Sequence, residues 1–193
     1  MTDAAVRPVP RPTIRPVIRP WRPDDAGALH AAVGASLPSL SPWLPWATPA
    51  YDRAQAEAWI AFCTRMRETD AEHHFGVFDD ATGALLGSVG LNQRIRAHRG
   101  ANLGYWVVEA MRGRGIAVAA AREAVRFGFD TLGLRRITIQ VVPENRASLR
   151  VAMKLGAVCE GIARNGVLVG ETSVETVVHS LIPDDMALWE AQR

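Results

Sequence analysis

The densest group of residues with recognisable chemistry is the turn Arg112-Gly113-Arg114-Gly115, which is followed directly by Ile116-Ala117-Val118. The apolar run Tyr105–Val108 precedes the turn and predicts a strand. Alanine-rich residues at helical spacing follow the turn and predict a helix over 116–129. The first amides of a helix have no partner within the helix, and the helix dipole adds partial positive charge there. Because glycines let the backbone close on a diphosphate and arginines add charge, this stretch indicates a phosphate-binding site.

Two common phosphate-binding loops do not fit this turn. The sequence lacks the Gly-Lys-Ser/Thr of a Walker loop. Val118 stands where the dinucleotide fingerprint would continue beyond Gly113-x-Gly115, and no acidic residue closes the next predicted strand, Ile137–Val142. Coenzyme A is the remaining class of ligand with a diphosphate. An ordinary structural turn is the alternative for the motif taken alone.

The motifs around this turn resemble those of the GNAT acetyltransferases. The run Arg112–Ala117 fits their Arg/Gln-x-x-Gly-x-Gly/Ala signature. Trp21–Ala26, Asn145-x-x-Ser148 and Lys154–Gly161 are similar to the branch that contains the RimJ and RimL ribosomal-protein N-terminal acetyltransferases. The resemblance extends from about Val17 to Leu181. It implies an α/β (α+β) GNAT fold, with a mixed and strongly twisted sheet of about seven strands, splayed at the cofactor site, and helices on both faces.

The resemblance also implies acetyl-CoA as the cofactor, with CoA as the product. The cofactor is expected where the strands Ala101–Val108 and Ile137–Val142 splay apart. A bulge near Val107 is expected to free backbone groups, which pair with the pantetheine arm and stabilise the oxyanion of the reaction. The residues expected to contact the cofactor are Trp106, Val107 and Val108 through their backbone, Arg112, Gly113, Arg114, Gly115, Ile116, Ala117, Val118, Asn145 and Ser148.

Two catalytic positions follow from the same resemblance. Ser148 is expected to protonate the departing CoA sulfur as a general acid, and Val107 is expected to act through its backbone N–H. Asn145 is typical of a helix N-cap and lies one turn before Ser148 on the same side of the predicted helix. Ordinary helix-start roles are the alternative for Asn145 and Ser148.

The general base is the least defined part of the predicted site. The attacking amine must be neutral, which an α-amine with a pKa of about 7.7–8.0 partly satisfies near pH 7 and a lysine near 10.4 does not. By resemblance, a Glu in the segment after Glu160-Gly161 should help, but its place falls near Gly166 or Val167. Substitute candidates are Glu175, Glu171 and His74, for which a surface or strand role is the alternative.

The acceptor is expected to meet the segment Leu37–Pro49, which is rich in Leu and Trp and carries four prolines. The prolines predict a packed loop with short helical turns in place of a long helix. By resemblance, this segment helps to wall the acceptor site, with Trp43 and Trp46 as its candidate residues. His74 and Glu175 are further candidates for contact with the acceptor. Closure of the hydrophobic core is the alternative role for both tryptophans.

Composition restricts the class of protein. The chain has 193 residues, 48% of them hydrophobic, which suits one globular domain over 17–193. The Pro- and Arg-rich residues 1–16 predict a flexible tail. A net charge of +2 does not indicate a nucleic-acid partner, and no apolar run approaches the roughly 20 residues of a membrane span. Cys63 and Cys159 lack metal-ligand spacing, so no metal is expected. Two cysteines do not form a disulfide framework, so a reduced, cytoplasmic location is expected.

These observations predict an acetyl-CoA-dependent N-acetyltransferase. Its expected acceptor is a primary amine, above all an N-terminal α-amine of a protein or peptide. The alternatives are acetylation of a small amine, such as an antibiotic or polyamine, and a non-catalytic acyl-CoA-binding regulatory domain. A deep pocket lined with carboxylates would favour a cationic small amine. A homodimer is a further expectation, by analogy.

Overall fold

A computed structural model describes residues 14–190 of the chain. The strands are β1 (Pro16–Pro20), β2 (His73–Asp79), β3 (Leu85–Ile95), β4 (Gly100–Val107), β5 (Arg136–Val141), β6 (Val158–Val169) and β7 (Thr172–Leu181). The helices are α1 (Ala26–Leu40), α2 (Arg53–Glu68), α3 (Ile116–Arg126), α4 (Arg146–Lys154) and α5 (Ala187–Glu190). The strands form one sheet in the order β1-β2-β3-β4-β5-β7-β6, in which β4 and β5 are parallel and the other neighbours antiparallel. The predicted seven-stranded mixed sheet is confirmed.

Alternating side chains divide the sheet into two packed faces. Phe75, Val89 and Leu103 point to one face, where the alanine-rich side of α3 covers them. On the other face, Phe78 packs against residues of α1 and α2 such as Leu29 and Ile60. The predicted helices on both faces are therefore present.

The parallel pair β4 and β5 separates soon after it begins. Pairing runs only from Gly100–Asn102 to Arg136–Thr138, and beyond this point β5 pairs with β7 alone. The later part of β4 therefore presents an edge without a neighbouring strand on that side. This is the predicted splay.

The bulge predicted near Val107 is absent, and this prediction was wrong. The register between β3 and β4 is continuous from Gly87–Val107 to Asn92–Asn102, and its irregularity lies beyond, towards Ile95. Separation from β5 frees the edge of β4, so no extra residue is needed there.

The prediction for Leu37–Pro49 was wrong at its start, because α1 continues through Pro38 to Leu40. Pro38 removes one helical N–H, and its ring crowds the carbonyl four residues earlier. The turn nevertheless closes, since the Ser41 amide donates to the Leu37 carbonyl at 3.0 Å and Leu40 is buried. Residues 41–50 then form turns, as expected.

The chain ends of the fold differ slightly from expectation. Most of the predicted tail lies in residues 1–13, outside the described residues, while Ile14 already packs against the core and β1 begins at Pro16. At the other end, β6 runs to Val169, well beyond the predicted strand ending near Ala163. Among residues 14–190, no helix is long and apolar enough to cross a membrane, and no cluster of three potential metal ligands occurs.

A partly buried ion pair joins β1 to the start of α1, and we expect Asp25→Asn to lower the free energy of unfolding by about 2 kcal/mol. Arg19 donates to both carboxylate oxygens of Asp25, at 2.7 and 2.8 Å, and the Arg22 amide donates at 2.8 Å. Burial raises the pKa of Asp25, but these hydrogen bonds outweigh burial and leave it below the ordinary value. The stabilisation should therefore be present at neutral pH and lost as pH falls through this lowered pKa.

Urea unfolding at pH 7 and at low pH measures this effect, with the exposed Asp24→Asn as the matched control. The wild type should lose its higher free energy of unfolding at a pH where Asp25 is protonated in both the folded and the unfolded state. If the difference persists there, the stabilisation is not electrostatic.

Candidate functional site

Two cavities meet at β4, on the sheet face covered by α1 and α2 and at the splayed edge. The smaller cavity, of about 250 Å³, lies between the end of β4 and the starts of α3 and α4. The larger cavity, of about 710 Å³, lies between the sheet and α1, α2 and residues 44–51. Leu44, Tyr105 and Trp106 line both cavities. The arrangement therefore offers two adjoining chambers with a shared wall.

The smaller cavity has a glycine cradle at the start of α3. Gly113 and Gly115 both have φ of 77°, in the left-handed region that glycine adopts without strain. A Cβ placed on either residue would meet nothing within 4 Å, so the space in front of the turn is open. Gly115 is the N-cap of α3, and Ile116, Ala117 and Val118 form its first turn along the wall. The residues present thus fit the diphosphate of coenzyme A.

Positive charge surrounds this cradle. Arg112 lines the smaller cavity, as predicted, together with Arg150 and Lys154 of α4. None of the described residues that line it is acidic. Arg114 is exposed and is not part of the wall, because the turn points its side chain to solvent. Arg150 and Lys154 were missed, although their four-residue spacing on one helix face indicates a shared direction.

Of the three residues of β4 and its end that were predicted to contact the cofactor, two lie at the smaller cavity. Trp106 and Val107 line the smaller cavity. Val108 does not, and its backbone is already used, because its amide donates to the Leu86 carbonyl at 2.9 Å and its carbonyl accepts from Met111 at 2.8 Å. A short turn begins at Val108, and contact of its backbone with the cofactor stays a prediction.

Asn145 and Ser148 come together at the start of α4. The Asn145 side chain caps the helix by accepting the Ser148 amide at 3.1 Å. The hydroxyl groups of Ser148 and Tyr105 lie 2.9 Å apart, and the Tyr105 hydroxyl also contacts the Ser148 carbonyl at 3.2 Å. Burial raises the pKa of Tyr105 to about 12, so its phenol stays protonated and can donate. Tyr105 was missed, because a strand tyrosine carries no signal of a partner 43 residues away.

Aromatic rings dominate the larger cavity. Its ring-bearing walls are Trp46, Tyr51, Trp59, Phe62, His74, Tyr105 and Trp106. Trp46 packs against Tyr51 and Trp106, with ring centroids 5.8 and 6.4 Å apart. The remaining polar side chains of the wall are neutral: Thr48, Gln55, Ser88 and Asn92. No carboxylate occurs among the described residues of this wall.

The four predicted acceptor residues separate in space. Trp46 and His74 line the larger cavity, whereas Trp43 lines the smaller one. Glu175 lines neither, and it is exposed on β7 next to the inward-facing Thr176. Strand alternation explains this outcome, because neighbours of an inward residue point outward. Glu175 therefore does not join the predicted acceptor residues at the two cavities.

The departure from the family pattern at Gly166 also has a structural cause. A Cβ placed on Gly166 would lie 2.1 Å from the Thr176 hydroxyl, so the β6–β7 hairpin leaves no space for a side chain there. The remaining substitute from the sequence, Glu171, is exposed at the tip of the same hairpin. Of the candidate bases, only His74 lines one of the two cavities.

The fold, the glycine cradle and the adjoining chambers define an acyl-CoA-dependent transferase domain. The chain belongs to the acetyltransferase (GNAT) domain family, which it matches over residues 15–158. Members of this family use acetyl-CoA, so the predicted fold and cofactor are confirmed.

Individual relatives agree with this assignment. YjcK of Bacillus subtilis, described as a probable N-acetyltransferase, is 42% identical over 120 residues, which are 61% of this chain and 66% of YjcK. The chain thus spans just under two thirds of that relative, and 59% and 61% of the next two.

Solved structures extend the comparison over most of the fold. A Vibrio cholerae structure assigned to the ribosomal-protein-serine acetyltransferases has a TM-score of 0.78 at 30% identity and covers 88% of this chain and 94% of that one. Mycobacterium smegmatis RimJ with CoA-disulfide has a TM-score of 0.81 at 24% identity, with coverages of 92% and 90%. The predicted resemblance to the RimJ/RimL branch is confirmed.

Proposed function

We propose that this protein is a cytoplasmic N-acetyltransferase that transfers acetyl from acetyl-CoA to the α-amine of a protein or peptide N terminus. The observation that carries the proposal is the larger cavity, which adjoins the cofactor cradle and has an aromatic, carboxylate-free wall among the described residues. Such a wall suits the apolar first side chain of a peptide. It does not offer the negative charge that a polyamine or aminoglycoside requires.

The roles of the chain's own residues follow from their positions. Acetyl-CoA supplies an activated acetyl thioester when bound. Gly113, Gly115 and the first turn of α3 hold the diphosphate, with Arg112 beside them. The Val107 backbone faces the edge of β4 that β5 leaves free, beside the cradle, where the acetyl carbonyl must be held, and Trp106 forms part of the wall shared with the acceptor cavity. Ser148 donates a proton to the leaving sulfur.

A small aromatic amine is the second candidate acceptor. A volume of about 710 Å³ lies in the range of cavities that hold whole small molecules, and ring side chains favour stacking. This candidate uses the same cradle and the same proton donor. Unlike a peptide, this acceptor has no polypeptide chain attached to its amine-bearing group.

The test is release of free thiol from acetyl-CoA with two matched peptides between pH 6 and 9. One peptide has a free N terminus with an apolar first residue and no lysine. The other is the same peptide with a blocked N terminus and one lysine. Turnover of the first alone is the expected result. Turnover of the lysine peptide alone would overturn the α-amine proposal, and turnover of only a small aromatic amine would select the second candidate.

We expect Ser148→Ala to lower kcat about tenfold to a hundredfold, because loss of a general acid matters less for a thiolate than for a poorer leaving group. Tyr105→Phe should lower kcat less than Ser148→Ala, since the Ser148 hydroxyl remains and loses only its 2.9 Å partner. Steady-state kinetics of the two single variants and the double variant measure the coupling.

In the double variant, the Tyr105 substitution should add almost nothing to that of Ser148. Full additivity of the two losses would contradict a shared role. Acetyl-CoA affinity, measured separately by calorimetry, should change little in either single variant.

A further inference from the structure

We propose that His74 is the general base of the reaction and that Glu72 positions it. This inference rests on the proposed function, in which the larger cavity receives the amine. The proposed catalytic atom is His74 Nδ1, and the proposed positioning contact is the one between His74 Nε2 and a Glu72 carboxylate oxygen, 2.8 Å apart.

The hydrogen bond to Glu72 fixes the tautomer of the imidazole. A carboxylate only accepts, so the neutral ring carries its proton on Nε2 and leaves the Nδ1 lone pair free to take a proton. The other Glu72 oxygen accepts the Gln93 amide at 3.1 Å, which anchors the carboxylate to β3. Both ends of the pair are therefore held by the sheet.

The ring lies where an amine would enter. His74 lines the larger cavity, with the Trp59 ring 4.9 Å away edge-on and the Phe62 ring at 6.2 Å. Its Nδ1 faces Gly90, because a Cβ placed on Gly90 would lie 2.4 Å from that atom. Any side chain at position 90 would displace the imidazole, so glycine there keeps Nδ1 in its position.

A row without side chains connects His74 to β4. His74 pairs with Gly90, and Gly90 pairs with Gly104, so the three residues lie side by side on neighbouring strands. The two strand spacings together are about 10 Å. Gly90 and Gly104 both line the larger cavity and form a flat floor between the imidazole and Trp106. An amine beside Trp106 therefore lies about that far from the imidazole, and its proton reaches Nδ1 along bridging waters on this floor.

The charge state of the ring suits a base at neutral pH. Burial lowers the pKa of His74, and contact with Glu72 opposes this only in part. The nearby titratable groups are Glu72, His73 on the opposite face of β2, Cys63 of α2 and Tyr51 of the cavity wall. Burial raises the pKa of both Cys63 and Tyr51 to about 12, so these two stay uncharged.

The proton balance of the proposed step is complete. The neutral amine nitrogen forms a bond to the acetyl carbon, and the bond from that carbon to sulfur breaks. One proton leaves the nitrogen for His74 Nδ1, and one proton passes from Ser148 to the sulfur. The imidazolium then releases its proton to water in the open cavity, and Ser148 recovers its proton through solvent.

The test variant is His74→Gln, and the matched control is His73→Gln. His73 is equally buried and its Nε2 likewise lies 2.8 Å from a carboxylate, that of Asp70, but its ring points to the opposite face, against Phe127. At pH 7 we expect His74→Gln to lower kcat about tenfold to a hundredfold, near the low end for a general base because an α-amine is already partly neutral. His73→Gln should leave kcat within about threefold.

The pH profile separates catalysis from structure. Below the His74 pKa, log kcat/KM of the wild type should fall with a slope of two per pH unit, one proton for the amine and one for the imidazole. His74→Gln should fall with a slope of one. Glu72→Gln removes the contact that raises the His74 pKa, so the steep region should move to lower pH. Imidazole titration by NMR in the protein without cofactor gives the same pKa independently of activity.

Two outcomes would overturn the inference: a slope of two in His74→Gln, or an equal loss of kcat in His73→Gln. Calorimetric acetyl-CoA binding and the thermal midpoint confirm that each variant is folded. If the wild type acetylates no free N terminus but does acetylate another amine, the proposed acceptor fails while the slopes, measured with that amine, still test His74.

Discussion

Gly115→Trp is expected to reduce acetyl-CoA affinity at least about a hundredfold while the protein stays folded. The indole would occupy the open space in front of the first turn of α3, where a Cβ meets nothing within 4 Å. It would therefore exclude the diphosphate without pushing on the protein interior. The positive φ of 77° adds a local strain of about 1–2 kcal/mol, which a domain of this size tolerates.

Isothermal titration with acetyl-CoA measures this loss, and Gly83→Trp is the matched control. Gly83 also has a positive φ, of 70°, and equally open surroundings, but it lies in the turn after β2, away from both cavities. The control should bind acetyl-CoA as the wild type does. Unchanged affinity in Gly115→Trp would refute the cradle as the diphosphate site.

Gly104→Leu is expected to lower kcat/KM for the amine by at least about a hundredfold and to leave acetyl-CoA affinity within about threefold. Gly104 lies on the floor of the larger cavity. A Cβ there would make only ordinary contact, 3.6 Å from the side-chain Nδ2 of Asn92. A leucine side chain would continue into the space next to Trp106, where the amine must lie. Gly104→Ala adds only the tolerated Cβ and should have a much smaller effect.

The graded pair is measured by initial rates over a range of acceptor concentrations, with calorimetry for acetyl-CoA. Equal losses in the alanine and leucine variants would indicate a backbone disturbance in place of a blocked cavity. Loss of acetyl-CoA affinity in the leucine variant would contradict the division of the site into two chambers. Together with Gly115→Trp, this variant assigns each chamber to one substrate.

The cradle could be predicted from sequence because its requirement is local. Two glycines with positive φ, a helix start and an adjacent arginine all occur within Arg112–Ile116. The cap that Asn145 forms by accepting the Ser148 amide joins residues only three positions apart, so it could also be predicted. Strand and helix patterns likewise indicated the sheet and both helical layers.

Contacts between distant parts of the chain could not be predicted in this way. The pairing of Tyr105 with Ser148 and the row from His74 to Gly104 depend on strand register, which no short motif encodes. The position of Glu175 away from both cavities has the same cause, since its direction depends on which face of β7 is buried. The hydrogen bond from the Val108 amide to Leu86 joins two strands and likewise could not be predicted from a local motif.

The wall shared by the two chambers can couple the binding of the donor to the binding of the acceptor. Leu44, Tyr105 and Trp106 touch the contents of both sides, so any shift of these side chains on filling one chamber alters the shape of the other. If the bound donor changes the affinity for the acceptor by some factor, the bound acceptor must change the affinity for the donor by the same factor. Replacing one of these three side chains is therefore expected to change the coupling between donor and acceptor affinity.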